Sequence, residues 1–227
     1  MAVQYTKLYI APMVYTSGTS AADTQDRGQQ GMRYRADITA GALKVPESRI
    51  IADLLLRHLD DTTWNDALYD QNVLQTRRPK TAARLTLLLR GRLTLMEPAL
   101  WILVRDGSGI VATHACLAAA IKHSALLGDF LDRVVREHVA QYATTLSNTI
   151  WEDYLLDCRG RDPEMPQWSA STRDRLRSSV FQILAQAGYV ENTRTLKLQP
   201  VYLASPVLDY LTTHQEPYVL RCMQVTA

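Results

Sequence analysis

The chain has 227 residues, 47% of them hydrophobic and 21% charged, which excludes a wholly disordered chain and bounds the domain count at one or two. Ten glycines and nine prolines are too few for a collagen or a linker array. With 25 cations against 23 acids the net charge is only +2, so recognition of a polyanion depends on where the charge sits.

That distribution is uneven. Six cations (Arg77, Arg78, Lys80, Arg84, Arg90, Arg92) and no acid lie between Gln71 and Met96, whereas Asp53 to Asp70 carries five acids and one arginine. Of the cations, 20 are Arg and 5 are Lys, which supplies planar forks suited to phosphate and guanine.

In chain order, residues 17–31 are small and polar with three glycines, so residues 1–31 read as a flexible N-terminal extension and order is expected from Met32. Apolar spacing predicts a helix over Ser48–Leu59, with Pro46 and Glu47 at its start. Asp60-Asp61-Thr62-Thr63 breaks it and caps a second helix, Trp64–Leu74. Arg77-Arg78-Pro79 is a turn, with Pro79 suited to the first turn of a helix over Lys80–Leu95. Ala82, Leu85, Leu89 and Leu93 form its apolar face, opposite Lys80 and Arg84.

Further helices are expected at Pro98–Arg105, Val111–His123, Ser124–Tyr142 (with Ser124 as N-cap) and Ser147–Leu156. After a Gly/Pro break at 159–166, a helix over Thr172–Ala187 stops at Gly188. Leu176, Val180, Ile183, Leu184 and Ala187 face inward; Arg175, Ser178, Ser179, Gln182 and Gln186 face outward. Tyr189–Glu191 and Thr195–Tyr202 read as strands of a β-hairpin turning at Glu191–Arg194, and a short helix follows at Pro206–Thr213. The class is mainly α: an N-terminal helix-turn-helix-like module over 32–96, a central helical region over 97–160, and a C-terminal winged-helix-like module with a short β-hairpin over 161–227.

Catalytic and cofactor signatures are missing. No Gly-rich phosphate loop or G-x-S-x-G elbow occurs, and the five histidines (58, 114, 123, 138, 214) form no i, i+4 pair. Cys116, Cys158 and Cys222 are too far apart for a zinc knuckle or a disulfide framework and read as buried thiols, while the four tryptophans read as core or boundary residues. No enzyme activity, cofactor or metal is expected. The uncharged run Gly107–Ile121 is 15 residues long against about 20 for a membrane span, and Leu8–Val14 is interrupted by Tyr and Pro, so the expectation is a cytoplasmic protein with no membrane partner.

Two constellations point to double-stranded DNA. In a winged helix the helix before the hairpin enters the major groove. Here that helix opens with Ser171, Thr172, Arg173, Arg175 and Arg177, continues with Ser178, Ser179 and Gln182, and leads to Arg194 and Lys197 on the hairpin. The second is Arg77, Arg78, Lys80, Thr81 and Arg84 at a helix N-terminus, where cations oppose the helix dipole and a phosphate would relieve the cost. Solvated arginines on an ordinary helical surface fit the same pattern.

The segment Tyr34-Arg35-Ala36-Asp37-Ile38-Thr39-Ala40-Gly41-Ala42-Leu43, followed by Glu47-Ser48-Arg49-Ile50-Ile51-Ala52, resembles the start of the BrxA family. Asn72-Val73-Leu74-Gln75, Thr81-Ala82-Ala83-Arg84, Arg92-Leu93, Asp129-Phe130-Leu131, Trp168-Ser169 and Ile183-Leu184 with Ala187-Gly188 continue the resemblance in order, over about residues 33–220. The resemblance implies a non-enzymatic component of a bacteriophage exclusion (BREX) system, helical apart from a winged hairpin, with other subunits of the defence complex as protein partners. It carries over no catalytic residues. The functional expectation is a DNA-binding accessory or regulatory subunit. Its rivals are a protein–protein adaptor with basic docking faces and a helical RNA-binding protein of the antitermination type.

Overall fold

The computed structural model describes residues 33–225, apart from Ala40 and Asn148; the expected N-terminal extension lies outside the described residues. The described chain is mainly α-helical. α1 (Val45–Leu56) carries Pro46 in its first turn, and its Arg49 guanidinium donates to the Arg105 and Gly107 carbonyls at 2.6 and 2.7 Å, closing the C-terminal end of α4 (Pro98–Asp106). α2 (Asp61–Asn65) is capped by Asp60, whose carboxylate accepts the Thr63 N–H. It runs into a π turn over Asp66–Asp70, and Asn72, at positive φ, follows its end, short of the expected Leu74.

α3 (Pro79–Leu93) buries Ala82, Leu85, Leu88, Leu89 and Leu93 against α1 and α5. α5 (Gly109–His123) is the centre of the molecule: residues 114 to 121 are all buried. That accounts for the apolar run read in the sequence, and no single described helix is long and apolar enough to cross a membrane. α10 (Ser205–Thr213) and α11 (Pro217–Met223) pack back onto α4, α5 and the following helix, and α11 had no counterpart among the expected elements.

The chain after α5 forms a continuous helical rod: α6 (Ala125–Asp129), a π segment (Phe130–Val135) and α7 (Arg136–Ala140), with Ser124 capping as expected. α8 (Ile150–Arg161) runs five residues past the expected Leu156, and α9 (Ala170–Gln186) is capped by Ser169 and ends at Gly188, φ +83°. Phe130 joins these three helices. Its ring centroid lies 5.6 Å from Trp151, 5.1 Å from Tyr154 and 6.2 Å from Phe181.

The expected pair of β-strands does not form; no strand occurs among the described residues. Instead, three extended stretches are joined by isolated antiparallel bridges, Val190 to Leu198 and Thr145 to Lys197. Glu191 N–H donates to Lys197 O, Gln199 N–H to Tyr189 O, and Leu198 N–H to Thr144 O. Leu196 at φ +50° lies outside the β region, and Pro200 has no N–H to extend the ladder, so pairing stops after a few residues.

Candidate nucleic-acid interface

The turn before α3 is built by one side chain. Asn72 accepts the Thr76 N–H at 3.0 Å and donates to the Thr76 carbonyl at 3.2 Å, which fixes where Arg77 and Arg78 leave the turn. Arg78 is the N-cap of α3 but makes no side-chain cap hydrogen bond, and Pro79 takes the first helical position. Arg77, Arg78, Lys80, Thr81 and Arg84 are all exposed, and none of these cations has an ion-pair partner among the described residues. The first turn of α3 holds no acid, Pro79 has no N–H, and the Thr81 and Ala82 N–H groups donate to the Arg78 carbonyl, so four exposed cations stand at this helix end with no side-chain cap. Arg90, also exposed, lies over the Trp64 ring at 4.7 Å.

Arg92, counted with this basic stretch, is elsewhere. It is 2% exposed and donates to the carbonyls of Ala42 (2.9 Å) and Gly41 (3.5 Å). Burial pushes its pKa down to about 10, opposed by the nearby Cys116 and Asp37. The signal was in the sequence: Arg92 falls three residues after Leu89, on the apolar stripe. Beside it, Asp37 accepts the Ser124 hydroxyl at 2.6 Å, and burial raises its pKa.

On α9 the picture is different. Ser171, Arg175, Ser178 and Gln182 are exposed, and Thr172 is half-buried with its hydroxyl 3.0 Å from the capping Ser169 Oγ. Arg173 donates to the Trp168 carbonyl at 3.0 Å and pairs with Glu152 of α8 at 3.3 Å. Arg177 pairs with Asp174 at 3.5 Å. Ser179 is a correction: only 7% of it is exposed, because it lies three residues after Leu176 on the inward side. Arg175 alone of the three arginines has no ion-pair partner among the described residues.

The return after α9 carries Arg194 and Lys197, both exposed. Asn192 Oδ1 accepts the N–H groups of Arg194 and Thr195, each at 2.9 Å, so the tip is set by a side chain. Between tip and helix runs an open groove of about 710 Å³ lined by Arg177, Ser178, Phe181, Gln182, Thr193 and Leu196. Of the C-terminal candidates the structure thus brings Arg177, Ser178 and Gln182 to one groove, while Arg173 lies on the α8 side beside Glu152; the N-terminal candidates share one helix end.

Two residues outside the candidate set hold the frame. Asp129, 1% exposed, accepts the Arg33 guanidinium at 2.8 and 3.0 Å, the Tyr34 hydroxyl at 2.7 Å and the Tyr218 hydroxyl at 2.9 Å. Asp162 accepts the N–H groups of Arg33 and Tyr34. No group of three or more His, Cys, Asp or Glu arranged to hold a metal occurs among the described residues, and the three cysteines are free and buried.

Comparison with known proteins gives concordant likenesses. The family model described as BrxA matches residues 32–215. BREX protein BrxA of Paramagnetospirillum magneticum (strain ATCC 700264 / AMB-1) is 49% identical over 194 residues, covering 86% of this chain and 98% of the relative. BREX protein BrxA of Escherichia coli O9:H4 (strain HS) is 32% identical over 167 residues, 74% of this chain and 78% of the relative. The fold is similar to the crystal structure of an uncharacterized protein from Magnetospirillum magneticum, with a TM-score of 0.80 and 47% identity over 86% of this chain and 100% of that one.

Proposed function

Since this chain belongs to the BrxA family and is thereby a component of a BREX phage-defence system, we propose that it serves there as a double-stranded DNA-binding accessory subunit without chemistry of its own, acting in the cytoplasm. The observation that carries the reading is the order of elements around α9. A helical rod (α6–α7), an extended stretch at 144–146, α8, α9 and two further extended stretches follow one another, with Phe130, Trp151 and Phe181 packed between the helices. That is the order of a winged helix, in which the third helix enters the major groove and the tip of the last return touches backbone. On this reading the module begins at Ala125 rather than at 161, because the first extended stretch precedes α8.

α3 supports the same reading from a second place. Its turn, proline and uncapped, cation-rich N-terminus have the form of a helix-turn-helix element gripping phosphate. α3 then supplies backbone affinity, and α9 with Arg194 and Lys197 supplies position. A protein adaptor is the second reading. It is favoured by Leu87, which is 69% exposed on the same helix as the free cations.

Titration of the purified chain with plain duplex DNA at two salt concentrations tests the proposal. The expected result is binding that weakens steeply with salt, by about 0.9 log units per neutralised phosphate per decade of salt, and that duplex competitor displaces better than structured RNA. Binding indifferent to salt, or none, leaves the adaptor reading. Assays of the chain alone for DNA cleavage, DNA methylation and ATP hydrolysis are expected to match a mock purification.

A further inference from the structure

The outward stripe of α9 does not have the composition of a helix that only grips phosphate. Ser171, Asp174, Arg175, Ser178 and Gln182 are exposed and fall at i, i+3, i+4, i+7 and i+11, one side of the helix over about 16 Å of its axis. The stripe carries one acid and one arginine, and its other members are polar and uncharged. α3 presents cations and no acid in the corresponding stretch. A carboxylate aimed at a polyanion is repelled by every phosphate. Asp174, with its side chain 64% exposed, is compensated among the described residues only by Arg177 at 3.5 Å on its own helix.

Such a carboxylate is useful in the major groove at one kind of base edge. Cytosine offers an amine there and carries no acceptor of its own on that edge. Adenine offers its amine beside the N7 lone pair, and guanine and thymine present acceptors that repel a carboxylate. The adjacent Arg175 is exposed, free of ion pairs among the described residues, and able to donate both arms to guanine O6 and N7. Arg173 and Arg177 flank the stripe and are held by Glu152 and Asp174.

We propose that α9 reads sequence, with Asp174 as a specificity-determining residue that accepts from a cytosine amine and Arg175 donating to a guanine close by. The proposal rests on the DNA-binding reading and sharpens it, since charge alone predicts no base preference. Asp174 then weakens binding to DNA lacking the cytosine and strengthens binding to DNA that has it, so its removal moves the two affinities in opposite directions.

The test is selection from a duplex library with a randomised central stretch, by the full-length chain and by its Asp174→Ala and Asp174→Asn variants, with melting curves as the folding control. The wild-type chain is expected to enrich a site containing cytosine and guanine. Asp174→Ala should bind that site about tenfold more weakly and unselected DNA more tightly. Asp174→Asn should select adenine at the former cytosine position, because a carboxamide pairs with adenine N6 and N7. Binding with no enriched base, or an Asp174→Asn selection identical to the wild-type one, overturns this inference and leaves the DNA-binding reading intact. Absence of any duplex binding overturns that reading and this inference with it.

Discussion

α3 and α9 both turn cations to solvent, and they keep them in opposite ways. At the start of α3 four cations stand without ion pairs among the described residues, on a helix whose N-cap residue, Arg78, gives no cap hydrogen bond. At the start of α9 Ser169 caps the helix and two of three arginines are engaged by Glu152 and Asp174. A good cap contributes about 1 kcal/mol, and cations against a helix N-terminus cost a few tenths each. α3 therefore gives up stability that α9 keeps, which is what a surface optimised for a phosphate partner rather than for the free fold would do. α9 has less charge to spare and more hydrogen-bonding variety, which suits reading over gripping.

The largest expected effect separates the two faces of α3 itself. Arg92→Ala strands the Ala42 carbonyl and opens a cavity in the core, so it should cost about 3 kcal/mol of stability while leaving the salt dependence of DNA binding unchanged in the folded protein. Arg84→Ala should do the reverse: a melting curve within about 0.5 kcal/mol of wild type, with a flatter salt dependence. Chemical denaturation and a salt titration of both variants check the pair. If Arg92→Ala flattens the salt slope as much as Arg84→Ala, the division of the helix is wrong.

The caps give a smaller contrast of opposite sign. Ser169→Ala should destabilise by about 1 kcal/mol, through loss of the bond to the Thr172 N–H. Arg78→Ser supplies a cap where backbone geometry is already extended, φ −135° and ψ 129°, and should stabilise by about 0.5–1 kcal/mol while weakening DNA binding. A destabilised Arg78→Ser protein would remove the argument that α3 trades stability for charge.

The smallest effect is a pH dependence on the α9 side. His114 of α5 is fully buried, accepts the Ala204 N–H at 3.1 Å and lies near the Ala187 carbonyl at the end of α9. Burial lowers its pKa, only partly opposed by Ala187. The unfolded imidazole takes up a proton near pH 6.5 and the buried one only at lower pH, so stability should fall as pH drops below about 6.5. His123 shifts in the same direction, chiefly by burial, so the comparison is with His114→Asn, which keeps an acceptor for Ala204. The fall in melting temperature between pH 7.5 and 5.5 should be smaller in that variant; identical profiles would exclude His114 as a contributor.

The helical class, the Asp60 and Ser124 caps, the Pro79 start and the Gly188 stop were legible because each depends on a few adjacent residues, whereas α9 starts at Ala170, two residues before the expected Thr172. The buried faces of α3 and α9 were legible from period, except where a polar residue occupied an inward position, as at Arg92 and Ser179. The extended stretch at 144–146 was not legible. It is too short for a periodic signal, and its bridge partner, Lys197, lies 52 residues away in sequence. Asp129 and Asp162 were invisible for the same reason, since their partners at Arg33, Tyr34 and Tyr218 are brought together only by the packed core. The candidate site was legible as a set of residue types. The Asp174–Arg177 pair is i, i+3 on α9 itself, but the pair that holds Arg173 depends on Glu152 of another helix, and only the structure supplies it.

The most direct measurement is the slope of log affinity against log salt for duplex DNA, in wild type and in two quadruple alanine variants whose melting curves are followed in parallel. Replacing Arg77, Arg78, Lys80 and Arg84 should flatten the slope by about three to four units, at about 0.9 per lost phosphate contact, with little change in stability. Replacing Arg175, Arg177, Arg194 and Lys197 should flatten it by about two to three, because Arg177 is partly spent on Asp174. If both variants remain folded and keep wild-type affinity and slope, neither surface holds DNA and the account is contradicted.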